Sequence, residues 1–493
     1  MLRTVCGERT LWEAILPPGG QDLNPELARV DALLDDTVFF EPFVAHFSLI
    51  AGRLSIPMET YLRMMFLRFR HRLSYVAVCA EVADSISWQR FCRIPLGASV
   101  PHPTTLSKIS KRCGAGVVEA LNESLLAKAA DAKVLRAHKV RADTTVIEAN
   151  VAYPSDSGLL AKAIAAIAKL IVKIHATGAA TRTQARDRTR SGRRRAREIS
   201  AHLKLRNDDA KASVRRINAE LADLAEAAAG DAAAVLRNAR RAIARQGDDA
   251  SGRLRRAVAD LETLLGRTAT IVAQTRLRLA GTTPDGATRL VSLHDPDARP
   301  IVKGRLGKPV EFGFKAQVVD NADGIVVDYS VEIGNPADAA QLAPAIARAA
   351  RRLRCAPRAV TADRGYGEAG VDAALAALGV KTIVIPRKGK PSAERRATER
   401  TRPFRRLVKW RTGAEGRISH LKHGYRWNRT LTDGIGGATT WCSWGVLAHN
   451  SVKVSALIET KTVVDTRRQA RNDQPAPQPE HPPGPPPTKR VAA

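Results

Sequence analysis

Apolar and polar residues alternate along this chain with two different periods, and the switches between them mark its parts. Through residues 1–130 the apolar positions fall at helical spacing, as in Met58 to Arg68 and in Tyr75 to Val82, which Ser74 precedes as an N-cap. A turn region from Pro95 to Pro103 leads to a third such segment, Thr104 to Arg112, with basic residues on its outer side. A helix-turn-helix DNA-binding module and a plain helical bundle both satisfy this pattern. The period then changes, and Lys139 to Glu148 reads as a strand. Between Ser155 and Thr283 there is no Pro, Phe, Tyr, Trp or Cys. Apolar residues there recur at heptad spacing through Leu203, Val214, Ile217, Leu221 and Leu224, and again through Leu254, Val258, Leu261, Leu265, Val272 and Leu279. Two long helices turning near Gly230 or Gly247 are expected, packed as an antiparallel, coiled-coil-like arm over residues 155–289.

Strand-like segments resume at Val310 to Asp320 and Ile325 to Glu332, joined as a hairpin by a turn containing Asn321, Asp323 and Gly324. Pro336 opens a helix. Ala359 to Asp363 is a buried-type strand ending in the turn Arg364-Gly365-Tyr366-Gly367. A helix over Glu368 to Leu378, a strand over Val380 to Pro386 and an Arg-rich connection from Arg387 to Arg406 follow. That connection leads into a helix on which Arg411, Glu415 and Lys422 share one face at 3.6 residues per turn. With the insertion set aside, the order is that of a ribonuclease-H-like α/β domain over residues 131–154 and 290–460, behind an all-helical N-terminal domain. Residues 466–493 are rich in Gln and Pro and are expected to form a disordered tail.

Charge adds a partner to this picture. The net charge of +30 points to a polyanion, nucleic acid first, although ribosomal and membrane-surface proteins share such a balance. The run from Arg182 to Arg197, with Arg193, Arg194 and Arg195 at its centre, is either a solvated face or a surface for backbone phosphates. Its lack of aromatics argues against base stacking. The six cysteines form no C-x-x-C pair and have no His at zinc spacing, which fits buried free thiols rather than a zinc site or a disulfide framework. Neither a signal-peptide pattern nor an apolar run of about 18 residues is present, so the expected location is cytoplasmic, with nucleoid association when DNA is bound.

Three acids carry candidate chemistry. Asp143 sits among Val140, Ala142, Val146 and Ile147, where an unpaired charge is costly and calls for a metal, a cation or a strand-edge position. Asp363 follows Val360-Thr361-Ala362 at the C-terminal end of a strand, where open α/β sheets place their sites. Each has a structural alternative, since an Asp in a turn caps backbone amides and Glu415 can simply pair with Arg411 one helical turn away. The topological order of the three raises the functional reading over the structural one. Phosphodiester cleavage needs a deprotonated nucleophile and a stabilised leaving oxyanion, and two Mg²⁺ ions roughly 3.5–4 Å apart supply both. Mg²⁺ prefers carboxylate oxygens and keeps waters and substrate phosphates in its other positions.

The spacing of Arg411, Glu415 and Lys422 resembles the Tyr-Arg-Glu-Lys signature of the Asp-Asp-Glu (DDE) transposases of bacterial insertion sequences, with Val408 in place of the Tyr. Asp363-Arg364-Gly365-Tyr366 matches that family's second-acid pattern, and Asp143-Thr144-Thr145 its first. The resemblance runs from about Arg68 to Leu457; the large helical insertion departs from the simplest family layout. It implies a ribonuclease-H-like catalytic domain in which Asp143, Asp363 and Glu415 hold two Mg²⁺ ions, with Mn²⁺ as a substitute. Arg411 and Lys422 would grip phosphates at the element's ends, and Arg417 and Arg364 are expected on the DNA beside them. The implied reaction is hydrolytic nicking of double-stranded DNA followed by attack of the freed 3′-hydroxyl on target DNA, by a homodimer or higher oligomer. A nuclease of the same fold without strand transfer, or a non-catalytic DNA-binding descendant, are the alternatives. Of the aromatic residues after Glu415, Tyr425, Trp427, Trp441 and Trp444 are expected to pack a C-terminal helix on the sheet.

Overall fold

The computed structural model describes residues 1–5, 19, 22–205, 207–303, 307 and 309–472. Among the described residues, these helices lead into the sheet: α1 (Pro25–Leu34), α2 (Glu41–Val44), α3 (Met58–Arg70), α4 (Tyr75–Asp84), α5 (Ile86–Phe91) and α6 (Pro103–Asp131), the last kinked at Gly114. Side-chain caps start several of them, with Asn24 accepting from the Leu27 amide at 2.9 Å and Ser74 from Ala77 at 3.0 Å. Every residue of α3 except Arg70 is buried, the charged Glu59, Arg63 and Arg68 included. Arg63 is fully enclosed and pairs with Glu59 and Asp31 at 3.2 and 3.1 Å, while Arg68 lies 3.9 Å from the centre of the Tyr75 ring. A helix buried all round belongs at the middle of a core rather than on its surface.

Strand β1 (Lys139–Glu148) follows, and then the insertion: α7 (Asp156–His175), α8 (Thr189–His202), α9 (Asp208–Gln246) and α10 (Gly252–Leu279). It is a four-helix assembly rather than the expected two-helix arm. The apolar face of α7, including Leu160, Ile164, Ile167 and Ile174, fills the groove between α9 and α10, so the heptad positions Ile217, Leu221, Leu254 and Leu261 are buried against a third helix. Gly247 (φ 56°) makes the turn, whereas Gly230 lies inside α9; Leu203, which the heptad pattern includes, is exposed. The two ends of the insertion meet, with Arg278 and Arg289 on one side pairing with Asp156 on the other at 3.1 and 3.9 Å.

The chain then forms β2 (Arg299–Val302), β3 (Val310–Asn321), β4 (Val326–Ile333), α11 (Asp338–Leu353), β5 (Ala359–Thr361), α12 (Val371–Ala377) and β6 (Thr382–Val384). The sheet is mixed. β3 pairs antiparallel with β1, β2 and β4, whereas β1, β5 and β6 run parallel, giving the path β2-β3-β1-β5-β6 with β4 beside β3. This mixed α/β order is consistent with the ribonuclease-H-like arrangement expected from the sequence.

Four helices end the chain: α13 (Ala393–Arg400), α14 (Arg402–Arg411), α15 (Gly413–Gly424) and α16 (Gly434–Asn472). α16 packs against α1, α3, α6 and β4, so the N-terminal helices and the sheet share one hydrophobic core. Trp427, Trp441, Trp444 and Tyr425 lie in that core, and Trp444 stacks on Phe69 with ring centres 6.3 Å apart, in keeping with a packing role. The first part of the expected tail, residues 466–472, continues α16; the remainder, 473–493, lies outside the described residues, as does Cys6. Of the other thiols, Cys355 is exposed and the rest are buried, all unpaired.

Candidate active site

Asp143 stands midway along β1, opposite Val318 of β3, flanked by the buried Ala142 and Val146. Asp363 follows β5, which pairs in parallel with β1 through Val140 and Val360, so the two acids come from adjacent strands. The Asp363 Oδ1 accepts from the Gly365 amide at 2.8 Å and caps the turn that follows. Two residues of this turn are structural. Tyr366 is buried with its hydroxyl 3.1 Å from Gln317 Nε2, and a Cβ at Gly367 would collide with the Pro386 carbonyl, so the strand end needs glycine there.

Glu415 lies in the first turn of α15 with its side chain 75 % exposed. The sequence places Arg411 on the same helix, but the helix breaks at Thr412, and Arg411 is the last residue of α14. Arg141 of β1 meets the chain at this junction. Its Nη1 donates to the Trp410 carbonyl at 2.9 Å, while Nε and Nη2 each donate to Asp320 at 2.8 Å. The guanidinium also fills the space that a Cβ on residue 413 would need, which explains Gly413. Arg411 is thereby turned toward β1, with Nη1 3.3 Å from Asp143 Oδ2 and Nη2 3.9 Å from Glu415 Oε1.

Asp143, Asp363, Glu415, Arg411 and Lys422 all line one cavity of about 720 Å³. Lys422 follows Glu415 by seven positions, so both face it from α15. Arg417 does not join them. It lies about 200° round the helix from Glu415, where Nε donates to Asp320 at 3.2 Å and the guanidinium abuts Gly324 and His449. The position expected to touch DNA instead fastens α15 to β3. Arg364 is spent on backbone, donating to the carbonyls of Arg387 and Gly389 at 3.1 and 2.9 Å. On α8, Arg193 and Arg194 are exposed, whereas Arg195 pairs with Glu220 at 3.0 Å.

Sequence reasoning missed three lysines that also line the cavity. Lys303, Lys315 and Lys388 pair there with Glu311, Asp338 and Glu368 at 2.6, 2.8 and 2.7 Å. Lys315 left a trace, being a cation between Phe314 and Ala316 in a strand that is otherwise buried from Gly313 onward.

Burial pushes the Asp143 carboxyl up to about 6. The Thr144 amide and Arg411 pull the other way, and the negative charges of Asp363 and Glu415 raise it further. Among the described residues, no three His, Cys, Asp or Glu side chains stand together in a metal-holding group. The donor set nevertheless fits a hard divalent cation in kind. It consists of three carboxylates opening on one cavity, one of them held off its ordinary titration by burial and by the others, with the Arg411 guanidinium as a positive group between two of them.

Two families match the chain. A transposase domain (DUF772) matches residues 15–112, and a transposase DDE domain matches residues 269–451. The chain belongs to the DDE transposases of insertion-sequence type. The second match contains Asp363 and Glu415 and begins beyond Asp143, which the insertion separates from the rest of the transposase sheet. No curated protein and no solved structure matches the chain. A transposase acts on DNA, and transposases of this family generally use divalent metals. No helix among the described residues is long and apolar enough to cross a membrane.

Proposed function

We propose that this transposase cleaves DNA phosphodiester bonds at the ends of its element and joins the 3′-hydroxyl to target DNA in a ribonuclease-H-like domain, with Asp143, Asp363 and Glu415 as its catalytic acids. The observation that carries the reading is the convergence of these three on one cavity from β1, the end of β5 and the start of α15. The same three carboxylates would hold Mg²⁺, two ions by the chemistry required. When bound, such ions polarise the scissile phosphate and ease deprotonation of the attacking water or hydroxyl.

The chain's own residues account for positioning. Lys422 faces the cavity from the Glu415 face of α15 and offers charge to a phosphate oxygen. Arg411 sets the junction between α14 and α15 against β1 and supplies a second cation at the same wall. The strand-borne Asp143 is fixed by the Thr144 amide at 2.8 Å, whereas Glu415 is exposed and free to close on a ligand. Catalysis by such a site rests on orientation and fixed charge more than on covalent chemistry.

The test is cleavage of duplex DNA in Mg²⁺ by Asp143→Asn, Asp363→Asn and Glu415→Gln variants. Each is expected to lose nicking and to keep DNA binding. Nicking at the wild-type level by any one of them removes that residue from the site.

A further inference from the structure

We propose that α14 is a docking surface for duplex DNA, laid beside the acids to carry one phosphate backbone toward them. Four cations, Arg402, Arg405, Arg406 and Lys409, are exposed on this ten-residue helix. At 100° per residue they fall within an arc of about 100°. The opposite side holds Phe404, which is buried, and Arg411, which reaches Asp143. One side of α14 is therefore fastened to the catalytic sheet and the other is a cationic stripe.

The charge on that stripe is uncompensated within the described residues, because none of the four has an ion-pair partner there. Several arginines near it and in the insertion are matched, although Arg190, Arg193, Arg194 and Arg197 on α8 also stand without an acidic partner among the described residues. Arg395 on the neighbouring α13 bonds Asp372, Glu399 and the Ile385 carbonyl. In the insertion, Arg188 pairs with Asp231, Arg195 with Glu220, and Arg276 with Glu226 and Asp223. A stripe of like charges without acids is repulsive on its own and is satisfied by a polyanion. About 15 Å of helix spans two or more phosphates of a strand whose phosphates repeat at a few ångströms.

Rigidity distinguishes this helix from the arginine-rich α8. The Trp410 carbonyl is held by Arg141 and the Trp410 ring lies 4.5 Å from Lys139 Nζ, so the C-terminal end of α14 is tied to β1 two and four residues from Asp143. DNA bound along α14 has a fixed relation to the cavity. Among the described residues, α8 packs against α7 and α9 within the insertion and has no hydrogen bond or ion pair to β1.

This surface rests on the DNA reading and deepens it. The experiment measures affinity of the full chain for a random-sequence duplex oligonucleotide as a function of salt. One variant carries Arg402→Gln, Arg405→Gln, Arg406→Gln and Lys409→Gln, and a charge-matched control carries Gln at Arg190, Arg193, Arg194 and Arg197 on α8. A third keeps charge with Lys at the three α14 arginines. Every phosphate that the protein no longer neutralises lowers the slope of log affinity against log salt by about 0.9. The α14 variant is expected to lose about 1.8 or more, the equivalent of two phosphates, with the α8 control losing less and the lysine variant keeping the wild-type slope. An unchanged slope in the α14 variant, or an equal loss in both glutamine variants, overturns the surface, since the latter reports net charge alone. The readout is binding, so it is separate from the cleavage assays that judge the three acids.

Discussion

The guanidinium of Arg411 lies 3.3 Å from the carboxylate of Asp143, across 268 positions of sequence, and joins the end of α14 to the middle of β1. It stands where a positive charge neutralises the most deeply placed acid. A cation entering the cavity meets this resident charge first. Arg411→Gln is therefore expected to bind Mn²⁺ more tightly, by roughly three- to tenfold, on the order of 1 kcal/mol for one nearby charge in a partly solvated site. Titration calorimetry on the DNA-free protein reads this directly. Unchanged or weaker binding would show that Arg411 does not oppose the cation.

The raised Asp143 carboxyl makes stability depend on pH. Its folded value of about 6 exceeds the ordinary 3.8, so between roughly pH 4 and 6 the native state holds a proton that the unfolded chain has released. Stability from this group is full below pH 4 and declines as pH rises to 6. Asp143→Asn removes the decline, and above pH 6 the metal-free variant should be more stable than wild type by on the order of 2–3 kcal/mol. Denaturant melts at pH 4.5 and 7.5 check this: a wild-type gap between the two pH values that persists undiminished in the variant would assign it elsewhere.

Arg141 holds Asp320 and the Trp410 carbonyl at once, with its side chain only 10 % exposed. Arg141→Gln leaves Asp320 with Arg417 alone and frees the helix junction. The expected cost is about 3–5 kcal/mol, as for other broken buried pairs. The variant should melt earlier and nick DNA poorly. A melting curve superimposable on wild type would mean that the pair is not needed for the fold.

Gly413→Ala isolates the junction more gently. Its new Cβ collides with the Arg141 guanidinium, which its bonds to Asp320 and the Trp410 carbonyl hold in place, so either that guanidinium or the start of α15, with Glu415, has to give way. Cleavage rate is expected to fall by about tenfold or more, as it does when reacting groups are slightly misplaced, while secondary structure by circular dichroism stays the same. Wild-type turnover would show that Glu415 tolerates the movement.

Local pattern carried the elements well and three-dimensional pairing poorly. β1 was readable to its ends because Val140, Ala142, Val146 and Ile147 are buried residues of a strand bounded by polar ones. The order of the acids followed from it. The fate of Arg417 was not readable, since its partner Asp320 is nearly a hundred positions away and only the packing of α15 on β3 brings them together. The break at Thr412 escaped for the same reason: nothing in Trp410-Arg411-Thr412-Gly413 reveals that an arginine on β1 takes a carbonyl there. In the insertion, heptads identified helices but not their number, because an apolar seam looks alike whether one neighbour or two will cover it.

The neck where Asp156 meets Arg278 and Arg289 has a consequence for the history of such a chain. A segment that leaves and re-enters at one point, with its cohesion supplied from inside, can be lengthened, shortened or exchanged without moving the strands on either side. The first acid could thus be parted from the other two by a whole extra bundle while the three stayed neighbours in space, so distance along the sequence gives no measure of how tightly they are coupled.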